Sequence, residues 1–86
     1  MQIVFTKQAK KDYEHLKNKK ILFKKALLLL DIISIDPFKN PPPYKKLSGE
    51  LQTAYSRRIN QQHRLVYRIE DDKIFIMSLW THYENV

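Results

Sequence analysis

The chain has 86 residues, enough for one domain and too few for a dinucleotide-binding domain beside a substrate domain. It contains no cysteine and one glycine, which excludes a disulfide framework, a thiolate zinc site, a thiol nucleophile, a glycine-rich phosphate loop and a flexible linker. Sixteen Lys+Arg against nine Asp+Glu give a net charge of +7, a balance that suits a polyanionic partner through counterion release.

Residues 1–6 lack the apolar core of a signal peptide, and the longest apolar run, 26–30, is far too short to span a membrane. A soluble, cytoplasmic protein with no membrane partner is expected. Gln2–Phe5 reads as a first strand. Thr6 offers a hydroxyl for an N-cap, and Ala9, Tyr13 and Leu16 recur at i, i+4 and i+7 as the apolar stripe of a first helix. Asn18 and the lysines after it predict a break. A second helix is expected from about Lys20 to Ile35, with Leu22, Ala26, Leu29 and Ile33 as its stripe and Phe23, Leu27, Leu30 and Ile32 widening it. Core burial of that whole breadth is expected, with contact to a partner as the alternative. Pro37 stops the helix at Asp36, because the proline ring disfavours helical geometry in the residue before it.

Four prolines in 37–43 predict a stiff, extended loop leading to Tyr44-Lys45-Lys46, and Ser48-Gly49-Glu50 predicts a turn. From Gln52 onward the period is two. Residues 54–59, 63–69 and 73–80 read as three antiparallel strands joined by Asn60-Gln61-Gln62 and Glu70-Asp71-Asp72. The order β-α-α-β-β-β predicts one α+β domain over 1–86, with two helices on one face of a small, mostly antiparallel sheet. The other face would be open to a long ligand.

All four arginines fall between Arg57 and Arg68. Strand alternation places Arg64, Val66 and Arg68 on one face and Leu65, Tyr67 and Ile69 on the core side. Arg57 and Arg58 point opposite ways, so one of them joins the Arg64 face directly. The competing expectation is that such arginines pair with Glu70, Asp71 or Asp72. Guanidinium forks suit bidentate phosphate contact, whereas helix-surface lysines are expected to serve solubility. Trp80-Thr81-His82-Tyr83 brings an imidazole able to move protons at neutral pH and a phenol able to stack on a base. His15 and His63 are expected on the surface. The three histidines show no ligand spacing, so no metal site is expected, and no nucleophile elbow is present.

The string Tyr55-Ser56-Arg57-Arg58-Ile59, followed by His63-Arg64-Leu65-Val66-Tyr67 and by His82-Tyr83, resembles the YoeB/Txe branch of the RelE-like bacterial toxins. The resemblance extends upstream through Leu47-Ser48-Gly49 and the proline stretch to Asp36-Pro37-Phe38. It implies a microbial RNase-like fold and a cofactor-free, metal-independent endoribonuclease that cuts messenger RNA in the ribosomal A site. It also implies a cognate antitoxin that blocks the site; a homodimer is left open. By position, Arg64 resembles the family's phosphate-stabilising arginine, His82 its general acid and Tyr83 the tyrosine that positions the scissile nucleotides. Lys45, Lys46, Arg57 and Arg58 fall where the family holds RNA, and Arg68 shares the Arg64 face. Cleavage by a 2′-hydroxyl requires a base for its proton, a cation for the phosphorane and an acid for the leaving oxygen.

Where the family carries a glutamate base, this sequence matches with Pro42, which cannot accept a proton. Glu50, His82 and the ribosome itself remain as alternative sources of the base. Glu84-Asn85-Val86 extend beyond the family's usual terminal His-Tyr. The rival readings are a non-cleaving ribosome binder, a gyrase inhibitor on the same scaffold, and a structural partner that docks through its broad second helix.

Overall fold

The computed structural model describes residues 1–48 and 53–81. Along the chain run β1 (Gln2–Phe5), α1 (Lys7–Leu16), α2 (Lys20–Ile35), β2 (Lys45–Ser48), β3 (Thr53–Arg58), β4 (Arg64–Glu70) and β5 (Lys73–Thr81). The α+β class is as expected. The strands form one sheet in the order β1-β5-β4-β3-β2. Its pairs are antiparallel except β1 on β5, which is parallel with Gln2 opposite Lys73. One strand is additional to the expected order: β2 pairs with the outer edge of β3, Lys45 opposite Ser56. Four residues with two adjacent lysines carry no period-two signal, so the ladder with β3, not side-chain pattern, makes this a strand. Among the described residues, no helix is long and apolar enough to cross a membrane.

Helix α1 starts as its sequence predicts. The Thr6 hydroxyl accepts from the Ala9 N–H at 3.2 Å, and it also donates to the Ile76 carbonyl at 2.9 Å. The buried Asp12 carboxylate accepts from the Leu79 N–H at 2.9 Å and from Gln8 Nε2 at 2.9 Å. These contacts tie α1 to the part of β5 where pairing with β4 shifts register, between Tyr67↔Ile76 and Val66↔Ser78. A bulge of that kind frees a strand N–H, and a carboxylate is a strong acceptor for it. The β4–β5 turn is tight because Asp71 and Asp72 take φ of 50° and 64°, the left-handed pair that a type I′ hairpin needs.

The core lies between the helices and one sheet face. Ala9 and Leu16 of α1 and Ala26, Leu29, Leu30 and Ile33 of α2 pack with Leu65, Tyr67, Ile74, Ile76 and Leu79. Full burial of α2 is corrected by the structure: Leu27 and Leu28 remain 40% and 54% exposed. A single helix laid on a sheet buries about one face, here Ala26-Leu29-Leu30-Ile33, and leaves the rest outward. His63 is also corrected: it is buried and stacks on Trp80 at 3.5 Å between ring centroids, with His15 at 4.9 Å on an edge of the same indole.

The proline loop is held by Arg57. This residue is fully buried. Its Nη1 donates to the Pro42 carbonyl at 2.6 Å, Nη2 to the Pro37 carbonyl at 3.0 Å and Nε to the Tyr67 hydroxyl at 3.2 Å. The Tyr67 hydroxyl in turn donates to the Pro37 carbonyl at 2.7 Å, and the guanidinium lies 5.1 Å from the centroid of the Tyr44 ring. Proline carbonyls lack the N–H partners of a regular ladder, and a rigid donor fork supplies them in one step. The loop is therefore not an extended rod; the chain bends at Pro41 and Pro42 and folds back on the core.

Two outcomes follow from this clamp. Arg57→Lys retains a cation but cannot reach three acceptors in different directions, so it is expected to lower unfolding free energy by on the order of 3 kcal/mol. A urea titration showing no change in midpoint would refute the clamp. Burial pushes the Tyr67 phenol above its ordinary value, more than the Arg57 contact lowers it. The folded state therefore favours the protonated phenol. Its stabilisation is complete below the unfolded value of about 10 and is lost as pH rises through the folded one. Tyr67→Phe should be less stable near neutrality yet lose stability less steeply above about pH 10. Parallel alkaline profiles for both proteins would contradict this.

Candidate functional site

The core takes Tyr55, Leu65, Tyr67, Ile74 and Ile76 from the sheet. Alternation then leaves Ser56, Arg58, Arg64, Val66, Arg68 and Phe75 on the face turned away from the helices. Three rows cross this face in register. Arg58 stands opposite Arg64, which stands opposite Thr81; Lys45, Ser56, Val66 and Ser78 form the next row; Arg68 stands opposite Phe75 beyond it. Ser56, Val66 and Ser78 are small and buried, so they make a low floor beneath longer cationic side chains.

Arg64 is the best-positioned of these cations. Its Nη1 donates to the Ser56 hydroxyl at 2.9 Å, which fixes the guanidinium over the floor and leaves other N–H groups for a ligand. Burial, and then the Arg58 charge opposite, push its pKa below the ordinary arginine value; it stays a cation at neutral pH. Among the described residues the ion pairs are Lys17–Glu14 and Arg68–Glu70, and neither involves Arg58 or Arg64. Two guanidinium groups facing each other without a carboxylate between them form a site with unmet demand for an anion. A phosphate diester supplies one with geometry matched to the fork.

The other sequence-predicted residues divide sharply. Arg58 is exposed and shares the Arg64 face; Lys45 shares it through the Lys45↔Ser56 register. Lys46 stands opposite Tyr55 and so belongs to the other face. Arg57 is removed from the RNA-contacting set: its guanidinium is wholly buried and spent on the proline loop. Arg68 lies on the correct face but pairs with Glu70 and stacks over Phe75, 4.7 Å from the ring centroid, as the competing expectation held for arginines beside that turn. Pro42 lends its carbonyl to Arg57 and so has a structural task. His82, Tyr83 and Glu50 lie outside the described residues, as do Glu84, Asn85 and Val86.

Sequence reasoning did not single out Ser56, the hydroxyl that orients Arg64, nor Ser78 across the floor. Ser56 was legible in principle, since it sits two residues before Arg58 on the same strand. Ser78 was not: plain alternation from Ile76 would put it in the core, and the bulge in β5 moves it to the other face.

Comparison with known proteins places this geometry. Residues 5–83 match the family of YoeB-like toxins of bacterial type II toxin–antitoxin systems. The chain is 40% identical over 86 residues to Toxin YoeB of Synechocystis sp., covering 99% of this chain and 100% of that one. It is 37% identical over 84 residues to Toxin YoeB of Streptomyces coelicolor, covering 96% and 100%. Among solved structures it is similar to the YoeB dimer from Staphylococcus aureus, with a TM-score of 0.84 at 39% identity over 96% of this chain and 98% of that one. The YoeB–YefM complex from the same organism superposes with a TM-score of 0.81 at 39% identity, with the same coverage. With a family match over residues 5–83 and full-length relatives at up to 40% identity, the chain belongs to the YoeB-like toxins of bacterial type II toxin–antitoxin systems.

Proposed function

We propose that this toxin is a ribosome-dependent endoribonuclease that seats the scissile phosphate of messenger RNA over the Ser56–Val66–Ser78 floor. The observation that carries the reading is the Arg58–Arg64–Thr81 row. It supports placing two guanidiniums beside Thr81, the residue that precedes His82 in the sequence. In this reading Arg64 stabilises the phosphorane, Arg58 and Lys45 hold flanking phosphates, His82 protonates the departing 5′ oxygen and Tyr83 stacks on a nucleotide beside the scissile bond. The 2′-hydroxyl attacks phosphorus, the bond to the 5′ oxygen breaks, and the products carry a 2′,3′-cyclic phosphate and a 5′-hydroxyl. The proton of the 2′-hydroxyl goes to Glu50, to His82 acting first as base, or to a group of the ribosome.

One feature favours a second reading, a toxin that occupies the ribosome without cutting. Among the described residues the acid on the Arg64 face is Glu70, and Arg68 holds it. The partners proposed are the ribosome with its messenger RNA, a cognate antitoxin as in the YoeB–YefM complex from Staphylococcus aureus, and a second copy as in the dimer from that organism. A net charge of +7 calls for an acidic antitoxin segment across the cationic face.

The discriminating experiment is messenger-RNA cleavage in a reconstituted translation reaction. Arg64→Ala is expected to cut on the order of 10²- to 10³-fold more slowly than wild type, and His82→Ala on the order of 10²- to 10⁴-fold more slowly. Equal cutting by all three removes both roles; translation arrest without new RNA ends in the wild type selects the non-cutting reading.

A further inference from the structure

Past the Arg58 end of the cationic row the surface sinks into a pocket of about 330 Å³ between α2, the proline loop and the turn after β3. Leu29, Pro42, Pro43 and Ile59 give it apolar walls, and its polar side chains are Lys25, Arg58, Asn60 and Gln61. This volume is at the small end for ligand pockets, and apolar walls with a few polar groups suit one flat ring system. Two side chains fix the shape. Arg57 holds the Pro42 carbonyl at 2.6 Å and so seats the proline wall. In the turn, Asn60 Oδ1 accepts from the Gln62 N–H at 2.9 Å and from the His63 N–H at 2.7 Å. The amide is thereby held in one orientation, its oxygen committed to the turn and its Nδ2 donors left for another group.

The pocket is rich in donors. Lys25 and Arg58 carry N–H groups only, Asn60 offers Nδ2, and Gln61 brings an acceptor on an exposed side chain. Among the described residues no carboxylate lines the pocket, and neither cation is in an ion pair. A base edge with an exocyclic amine would set N–H against N–H here. Guanine instead presents two adjacent acceptors, O6 and N7, the edge that arginine and lysine contact most often. The chemistry of cleavage says which base arrives. The attacking 2′ oxygen and the departing 5′ oxygen lie on opposite sides of phosphorus. In the proposed reaction the acid comes from the β5 end of the Arg58–Arg64–Thr81 row. The nucleotide that supplies the 2′-hydroxyl then lies towards the Arg58 end, where this pocket opens.

We propose that this pocket is a guanine subsite for the nucleotide on the 5′ side of the cut. Lys25 and Asn60 Nδ2 donate to O6 and N7, the proline and aliphatic walls cover the ring, and Arg58 holds the phosphate at the mouth. The proposal rests on the nuclease reading above and adds a cause for sequence preference. It also gives Lys25, a helix-surface lysine expected to serve solubility, a task beside Arg58. Such a pocket discriminates chiefly by rejection, because a wrong base leaves donors of both partners without acceptors in a partly enclosed site.

The test maps cut positions on ribosomes translating messages with randomised codons. Wild type should cut after guanine on the order of 10- to 100-fold more often than after cytosine. A message with 7-deazaguanosine at that nucleotide, which lacks the N7 acceptor, should be cut more slowly than its guanosine parent. Asn60→Asp keeps Oδ1 for the turn and replaces the Nδ2 donors with an acceptor, so it should move the preference towards cytosine or adenine. Lys25→Met should weaken the guanine preference. A second readout needs no cutting: guanosine 3′-phosphate should shift the Asn60 side-chain amide NMR signal at lower concentration than cytidine 3′-phosphate does. Cutting without a 5′ guanine preference, or with one that Asn60→Asp leaves in place, overturns the subsite and leaves the nuclease reading intact. No cutting by wild type overturns the nuclease reading; a guanosine-selective shift then still supports the guanine pocket, and equal shifts overturn it too.

Discussion

The structure turns on the fact that neighbouring residues of a strand face opposite ways. At Arg57-Arg58 this sends two chemically identical side chains into different tasks. Arg57 enters the core, where two proline carbonyls, the Tyr67 hydroxyl and the Tyr44 ring replace its hydration. A buried cation satisfied by dipoles alone is costly to assemble and more costly to disrupt, because removing any partner leaves the others without one. Arg58, one residue on, cannot follow it and stands on the opposite face across from Arg64. The clamp that orders the proline loop thereby also fixes the register of the cationic face.

That face gains its character from what surrounds it. Small side chains at Ser56, Val66 and Ser78 leave room above the sheet, and the Ser56 hydroxyl holds Arg64 without neutralising it. Nearby Arg68 shows the contrast: with Glu70 and the Phe75 ring as partners, its charge is already answered. Preorganised positive charge over a recessed floor is the arrangement that electrostatic stabilisation of a phosphorane requires, since little reorganisation is left for the moment of reaction. α1 contributes indirectly. Thr6 and Asp12 hold β5 through its register shift, and the position of Thr81 opposite Arg64 depends on that shift.

Much of this was readable from residue order. Gln2–Phe5, the Thr6 cap and both helices were evident from apolar spacing and a hydroxyl at the right place, and the α+β layering followed from their order. The division of β4 into Arg64/Val66/Arg68 and Leu65/Tyr67/Ile69 was equally plain. Three features were hidden because they depend on tertiary partners. Lys45–Ser48 is a strand only because β3 offers an edge. Alternation showed that Arg57 and Arg58 diverge but could not say which was inside, since a buried arginine is readable only from the carbonyls waiting for it. His63 looks like a surface residue until Trp80, seventeen positions on, stacks against it.

The family places the protein among toxins, and the function proposed above seats an RNA phosphate on the cationic face. The claim at the centre is that the bond to the 5′ oxygen is broken by the neighbouring 2′-hydroxyl under Arg64. The most direct measurement is the chemistry of the RNA ends made on programmed ribosomes, read by ligation selectivity and mass spectrometry. The account predicts a 2′,3′-cyclic or 3′ phosphate on one fragment and a 5′-hydroxyl on the other, with no product from a message carrying a 2′-deoxy residue at the cut site. A 5′-phosphate end, or undiminished cutting of the deoxy-substituted message, would contradict it.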